Sequence, residues 1–239
     1  MKLDILVFAA HPDDAELSCS GTILKHVAAG KKVGIVDFTR GELGTRGSAD
    51  LRDEEAAASS KILGLAVREN LRMRDGFFAN DEIHQLQLIT MLRKYRPEIV
   101  LCNALQDRHP DHGKGSDLAV TSCFLSGLIR IRTELDGSAQ EAWRPKLVLQ
   151  YIQDNYIKPD ILVDVTDFWD QKMESIQAFK SQFHSDDYND PNQTYISTPE
   201  FLQVIDARAR ELGKAISATY AEGFTSKKLL GVESLFDLV

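Results

Sequence analysis

The chain has 239 residues, 43% of them hydrophobic and 27% charged, with a net charge of −8. That length can bury a real core in one α/β domain, or in a domain with a small appendage. The acidic balance argues against nucleic acid or an anionic membrane as a partner, and no apolar run approaches the ~18 residues of a membrane span. From Leu3 to Ala10 the chain reads as a strand, with neither the longer apolar region nor the small-residue cleavage site of a secretory signal, so a cytoplasmic protein is expected. Leu17 to Ala29 reads as a helix ended by Gly30, and Val33 to Thr39 as a second strand followed by a glycine-rich loop, Gly41 to Gly47. Asp50 can cap a helix over Leu51 to Leu63, with Glu54 and Glu55 in its first turns. Asn80 or Asp81 starts a helix to Tyr95, which Pro97 stops. Glu98 to Asn103 is a strand, Gln106 to Gly115 a polar loop, and about Ser116 to Arg130 a helix. Strands near Lys146 to Ile152 and Ile161 to Val165 precede a helix over Asp167 to Phe183. A polar segment from His184 to Thr198 carries Tyr188 and Tyr195, and a long helix runs from about Pro199 to Tyr220.

Strand–helix–strand alternation implies parallel pairing, hence a Rossmann-like, doubly wound, mostly parallel sheet with a C-terminal helical and loop extension. The whole of 1–239 is expected to form one domain. After about Lys158 the alternation breaks, which points to a lobe or an oligomer contact, and a homo-oligomer is expected. Cys19, Cys102 and Cys123 are odd in number and far apart, so they read as small buried residues rather than disulfide partners or thiolate ligands.

Two segments carry the chemistry. Ala9-Ala10-His11-Pro12-Asp13-Asp14-Ala15-Glu16 follows the first strand, and Asp107-Arg108-His109-Pro110-Asp111-His112 follows the strand ending near Asn103. Doubly wound sheets bind ligands at the carboxyl ends of their strands, so His11, Asp13, Asp14, His109, Asp111 and His112 should converge. Proline stiffens each loop. Either segment alone is most simply a turn or a helix cap; at matching strand ends they suit a catalytic zinc held by two imidazoles and a carboxylate. Of two adjacent aspartates, one can bind the metal while the other accepts a proton. His109-x-Asp111 also matches the start of a non-haem iron triad, although such triads usually sit on barrel-like folds.

The two segments resemble those of the PIG-L/LmbE-type N-acetylglucosaminyl deacetylases. Gly21-Thr22, Thr39-Arg40-Gly41-Glu42, Arg52-Asp53-Glu54-Glu55-Ala56 and Lys180-Ser181-Gln182-Phe183 extend the likeness over nearly the whole chain. Thr39 to Gly47, Met73 to Phe78 and Asp107 to Ser116 are most like the members that deacetylate N-acetylglucosaminyl-malate in bacillithiol biosynthesis. The resemblance implies one zinc ion per subunit held by His11, Asp14 and His112, with Asp13 as general base. It implies that His109 acts as acid or electrostatic stabiliser and that Asp111 holds the His109 ring. It places Arg52 and Arg108 near the substrate and leaves Tyr195 or Tyr188 to steady the oxyanion. The chain departs from the family's His-Pro-Asp-Asp-Glu at Ala15, with the glutamate one place later at Glu16, which leaves the ligand spacing intact. Arg40, Arg46 and Lys114 join Arg52 and Arg108 among the basic groups expected at the crevice, so the N-acetylated sugar conjugate is expected to be anionic. Three other readings stay open: a metal- or sugar-binding module without turnover, an amidase acting on a thiol conjugate of such a glycoside, and a deacetylase of another N-acetylglucosamine derivative.

Gly41, Gly44 and Gly47 do not form a dinucleotide fingerprint, because they do not follow the first strand in that register. His26 and His84 read as surface or packing residues, and Asp53-Glu54-Glu55 as the acidic preference of a helix start.

Overall fold

The computed structural model describes residues 1–186, 188 and 190–238. The chain runs β1 (Ile5–Ala9), α1 (Asp14–Ala28), β2 (Val33–Asp37), α2 (Ala49–Leu63), β3 (Val67–Asn70), α3 (Glu82–Tyr95), β4 (Ile99–Cys102) and α4 (Pro110–Leu125). A small hairpin, β5 (Glu134–Leu135) and β6 (Ser138–Ala139), leads to β7 (Leu147–Tyr151), β8 (Ile161–Asp164), α5 (Trp169–Gln177), α6 (Pro199–Lys214) and β9 (Ala221–Thr225). The main sheet has the order β3-β2-β1-β4-β7-β9-β8. It is parallel from β3 to β7, while β9 pairs antiparallel with β7 and β8. This is the mostly parallel, doubly wound α/β sheet expected from the alternation.

β1 is buried along its whole length, the mark of a strand covered on both faces. Its side chains alternate between two cores: Leu6 and Phe8 pack with Leu88 and Leu92 of α3 and Leu118 of α4, while Ile5, Val7 and Ala9 pack with Cys19 and Ile23 of α1 and Leu63 of α2. A third cluster, with Ala56, Trp169, Ile176, Phe179, Phe183, Phe201 and Ile205, joins α2, α5 and α6. The C-terminal elements therefore pack on the sheet's flank through their own apolar faces.

Several expected boundaries move. α2 is capped by Ser48, whose side chain accepts from Leu51 N; Asp50 lies inside the first turn. α4 begins at Pro110, with Pro at its first turn and His109 as N-cap, so His112 is helical. β3 and β9 lie outside the expected strands: β3 (Val-Arg-Glu-Asn) is polar and only half buried, and β9 (Ala-Glu-Gly-Phe-Thr) carries a glutamate and a glycine. The last helix ends at Lys214 rather than Tyr220, and α5 stops at Gln177 rather than Phe183.

Glu222 on β9 is buried for a reason visible in α1. That helix kinks at Cys19 (φ −144°, ψ 16°), which releases backbone groups on either side. The Glu222 carboxylate accepts from Gly21 N at 2.9 Å and Thr22 N at 2.7 Å. Lys172 of α5 donates to Leu17 O at 2.9 Å and to Glu222 at 2.7 Å. Gly21 leaves room for this, since a Cβ there would lie 2.7 Å from the Val165 Cβ. Removing one partner of a buried pair leaves the other charged and unpaired. Glu222→Ala should therefore cost about 3–5 kcal/mol in denaturant unfolding. A loss below about 1 kcal/mol would show that packing alone maintains the kink.

Among the described residues no helix is long and apolar enough to cross a membrane.

Candidate active site

The sheet order reverses direction between β1 and β4, and the carboxyl ends of those two strands open a crevice at that point. Beyond them lies a cavity of about 390 Å³ lined by His11, Asp13, Asp14, His109 and His112, among others. Both sequence segments thus meet, as the strand-end argument requires.

Asp14 sits between two imidazoles. Its Oδ2 lies 3.6 Å from His11 Nδ1 and its Oδ1 lies 3.0 Å from His112 Nε2. The carboxylate is also fixed by protein donors: His11 N at 2.9 Å, Asn103 Nδ2 at 3.0 Å and Gln153 Nε2 at 3.1 Å. Each ring is backed by carboxylate on its far side. His11 Nε2 faces Asp75 at 3.1 Å and Asp111 at 3.4 Å, and His112 Nδ1 faces Asp107 at 2.5 Å. Burial opposes charge on His112, yet Asp14 and Asp107 outweigh it and push its pKa up to about 9. Burial would raise the Asp14 carboxyl, but the two histidines hold it well below the usual range. The protein has thus built a strongly negative, buried pocket that favours positive charge.

Asp13 faces elsewhere. Its backbone adopts φ 120°, a region L residues rarely occupy, and its side chain makes no helix-capping hydrogen bond. Arg52 Nη1 stands 3.5 Å from Asp13 Oδ2 and donates to Pro12 O at 2.7 Å. Burial lifts the Asp13 carboxyl and Arg52 only partly offsets it, leaving a pKa of about 7. Gly41 permits this placement of Arg52: it has φ 64°, and a Cβ there would lie 2.8 Å from Arg52 Nη1.

His109 packs edge-on against His11, with ring centroids 4.7 Å apart, and stacks near His112 at 5.1 Å. Its Nδ1 accepts from Asp111 N at 3.3 Å, so the neutral ring carries its proton on Nε2. Burial and the neighbouring His11 and His112 lower its pKa. The Asp111 carboxylate does not hold this ring, contrary to expectation; it reaches His11 and accepts from Gly76 N at 2.9 Å. Pro110 starts a helix, and that turn leaves Asp111 only its backbone N–H for His109.

The basic residues divide. Arg52 and Arg108 line the cavity. Arg46 does not line it: it lies over the Tyr188 ring at 5.4 Å. Arg40 is held by Asp50 and Asp53, and Lys114 by Asp111. The Asp53-Glu54-Glu55 run does more than favour a helix start, since buried Glu55 accepts from Ser181 N and Oγ at 2.7 Å. Tyr195 lines the cavity and donates to Asp154 at 3.2 Å, whereas Tyr188 stays with Arg46 and Asp190. Glu16 points away from the cavity into a buried cluster with Arg68 and Ser59, at 2.6 and 2.7 Å. Asn103, Asp75, Gln153, Asp154 and Arg208 are not singled out by the sequence. Asn103 and Gln153 are polar residues closing apolar strand runs, which is the one local clue to them; Asp75 falls within the Met73 to Phe78 likeness but carries no chemical motif, and Arg208 has no clue.

The donor set suits a borderline divalent cation: nitrogen and carboxylate oxygen ligands, with the second nitrogen of each ring held by a carboxylate. Among the described residues, nitrogens of His11, His109 and His112 lie within 4.8 Å of one another, as do ligand atoms of His11, Asp75 and Asp111. Outer partners of this kind are worth about 10–100-fold in metal affinity. Asp107→Asn should therefore weaken metal binding by about that factor in a chelator competition, and an unchanged affinity would remove Asp107 from the site.

Fold and site together define a doubly wound α/β protein with a buried histidine–aspartate cluster at the switch point. Residues 6–123 match the PIG-L family, GlcNAc-PI de-N-acetylase. The chain is 36% identical to the conserved protein TT1542 from Thermus thermophilus, with a TM-score of 0.85 over 97% of this chain and 98% of that one. It is 27% identical to the diacetylchitobiose deacetylase of Thermococcus kodakarensis, over 92% of this chain and 81% of the relative. It is 26% identical to the 4-oxalmesaconate hydratase of Pseudomonas putida, over 92% and 88%. The chain belongs to the PIG-L family.

Proposed function

We propose that this protein is a zinc-dependent hydrolase that removes the acetyl group from an N-acetylglucosaminyl conjugate. The observation that carries the reading is the placement of a buried carboxylate, Asp13, facing Arg52 at 3.5 Å and beside two imidazoles that converge on Asp14. His11, Asp14 and His112 would hold one ion per chain. When bound, such an ion makes water acidic near neutral pH and polarises a carbonyl. Asp13 accepts the proton of the attacking water and returns it to the amine nitrogen, since a group with a pKa near the working pH exchanges protons both ways. Arg52 keeps Asp13 aimed at the cavity rather than at the helix it precedes. His109 stays neutral and presents Nε2–H to the oxygen where negative charge develops. Tyr195, at the cavity wall, supports the same oxygen or a sugar hydroxyl.

The substrate we favour is N-acetylglucosaminyl-malate, as the resemblance implies. Arg40 and Lys114 do not line the cavity, so the malate end falls to Arg108, which does: it is 49% exposed there, pairs with Asp154 at 3.0 Å and lies over the Tyr195 ring at 4.9 Å. Purified protein should release acetate from this substrate far faster than from free N-acetylglucosamine, chelation should stop the release, and zinc should restore it. Arg108→Ala should narrow the gap between charged and uncharged substrates. Equal kcat/KM for the two would remove malate and leave the deacetylase chemistry. The hydratase relative supports a second reading, addition of water to an unsaturated acid; absence of acetate together with hydration of such an acid would establish it.

A further inference from the structure

Behind the main cavity lies a second chamber of about 30 Å³. Leu17, Ser18, Ile205 and Arg208 line both spaces and so mark their junction. Ser18 stands one helical turn beyond Asp14 on α1 and is only 6% exposed, and its hydroxyl has no hydrogen-bond partner. Its neighbour Ser20 satisfies itself on Glu16 O at 2.6 Å; Ser18 does not. Arg208 donates through Nη2 to Asp154 O and forms no ion pair among the described residues. In this it differs from the other guanidinium groups at the cavity: Arg52 faces Asp13 and Arg108 faces Asp154. The junction therefore offers a guanidinium without a carboxylate and an unused hydroxyl, between the apolar walls of Leu17 and Ile205.

We propose that Arg208 and Ser18 form a subsite for a small carboxylate, and that its occupant is the acetate released by the reaction. The charge of the ligand follows from the geometry alone; its source rests on the deacetylase reading above. Hydrolysis breaks the amide C–N bond and forms a C–O bond. The sugar amine takes up a proton, and acetate leaves as an anion next to Asp13 and Asp14, where negative charge is already concentrated. A guanidinium pairs a carboxylate through two parallel N–H groups. A chamber of about 30 Å³ holds about two waters, close to the bulk of an acetate ion. The ion can thus withdraw from Asp13 and Asp14 with its methyl group against Leu17 and Ile205; the carboxylate that lines the chamber, Glu222, is paired with Lys172 at 2.7 Å.

Saturation-transfer NMR from the holoenzyme to the acetate methyl tests this, together with acetate inhibition of turnover. Wild-type protein should transfer to acetate, less to propionate and not to butyrate, because the chamber is small. Arg208→Gln should weaken acetate binding about tenfold, Arg208→Lys should recover part of the loss, and Ser18→Ala, which removes one atom, should weaken it about threefold. The inhibition constant for acetate should rise in the same order, and by more than KM for the N-acetyl substrate changes. Undiminished transfer in both Arg208→Gln and Ser18→Ala overturns the subsite. So does an Arg208→Gln protein that binds acetate normally yet shows a raised KM for an acid-bearing substrate, which would put the guanidinium on the aglycone. If no N-acetyl substrate is turned over but transfer is lost in the variants, the subsite stands and the deacetylase reading falls.

Discussion

Asp13→Asn should keep its metal and lose activity by about 10²–10⁴-fold, the usual worth of a positioned base. The amide is isosteric, so the strained turn at φ 120° and the neighbouring His11 and Asp14 have no reason to move. What disappears is the site that accepts the proton. The loss should fall on kcat more than on KM, because substrate binding does not need that proton transfer. The wild-type pH profile should carry the same information. Burial raises the Asp13 carboxyl to about 7, so it becomes protonated as the pH falls, and a protonated carboxyl cannot act as base. The kcat/KM should therefore decline on the acid side, and a bound cation would move that limb to lower pH. An Asp13→Asn protein with undiminished kcat would end the assignment. One that lost metal while Asp14→Asn retained it would show that the two aspartates have exchanged roles.

If His11, Asp14 and His112 hold the proposed ion, Asp14→Ala and His112→Ala should each lose metal binding, and with it essentially all turnover, while remaining folded. Asp14 is the group both rings face, and its loss leaves His11 Nδ1 and His112 Nε2 without their shared carboxylate. Elemental analysis after gel filtration reads the metal directly, and circular dichroism checks the fold. His109→Ala is the informative control. Its nitrogen lies within 4.8 Å of those of His11 and His112, but under the proposed function it faces the reacting oxygen rather than the metal. It should retain metal and lower kcat. If His109→Ala strips the zinc and Asp14→Ala does not, the ligand set is three imidazoles.

The fold class and the place of the site follow from the order of residues alone. Apolar β1 and β4, each followed by histidine and aspartate around a proline, place those groups at adjacent carboxyl ends once the chain alternates strand and helix. These two segments were legible because their residues are close in sequence and their chemistry is local. β9 was not legible: its five residues hold Glu222 and Gly223, and what makes them a strand is pairing with β7 and β8 and the backbone groups freed by a kink in α1. The partners of the two histidine rings were not legible either. Asp75 comes from beyond β3 and Gln153 from beyond β7, and no spacing links them to His11 or to Asp14. Charge counting also failed at the crevice, since whether an arginine meets a ligand depends on which carboxylate reaches it first. Arg40 and Lys114 are claimed within the fold, whereas Arg208, in the middle of a helix with no chemical motif around it, meets no carboxylate among the described residues. Buried charge and backbone are satisfied wherever folding brings a partner near, and such pairings across distant parts of the chain exist only once the tertiary structure has formed.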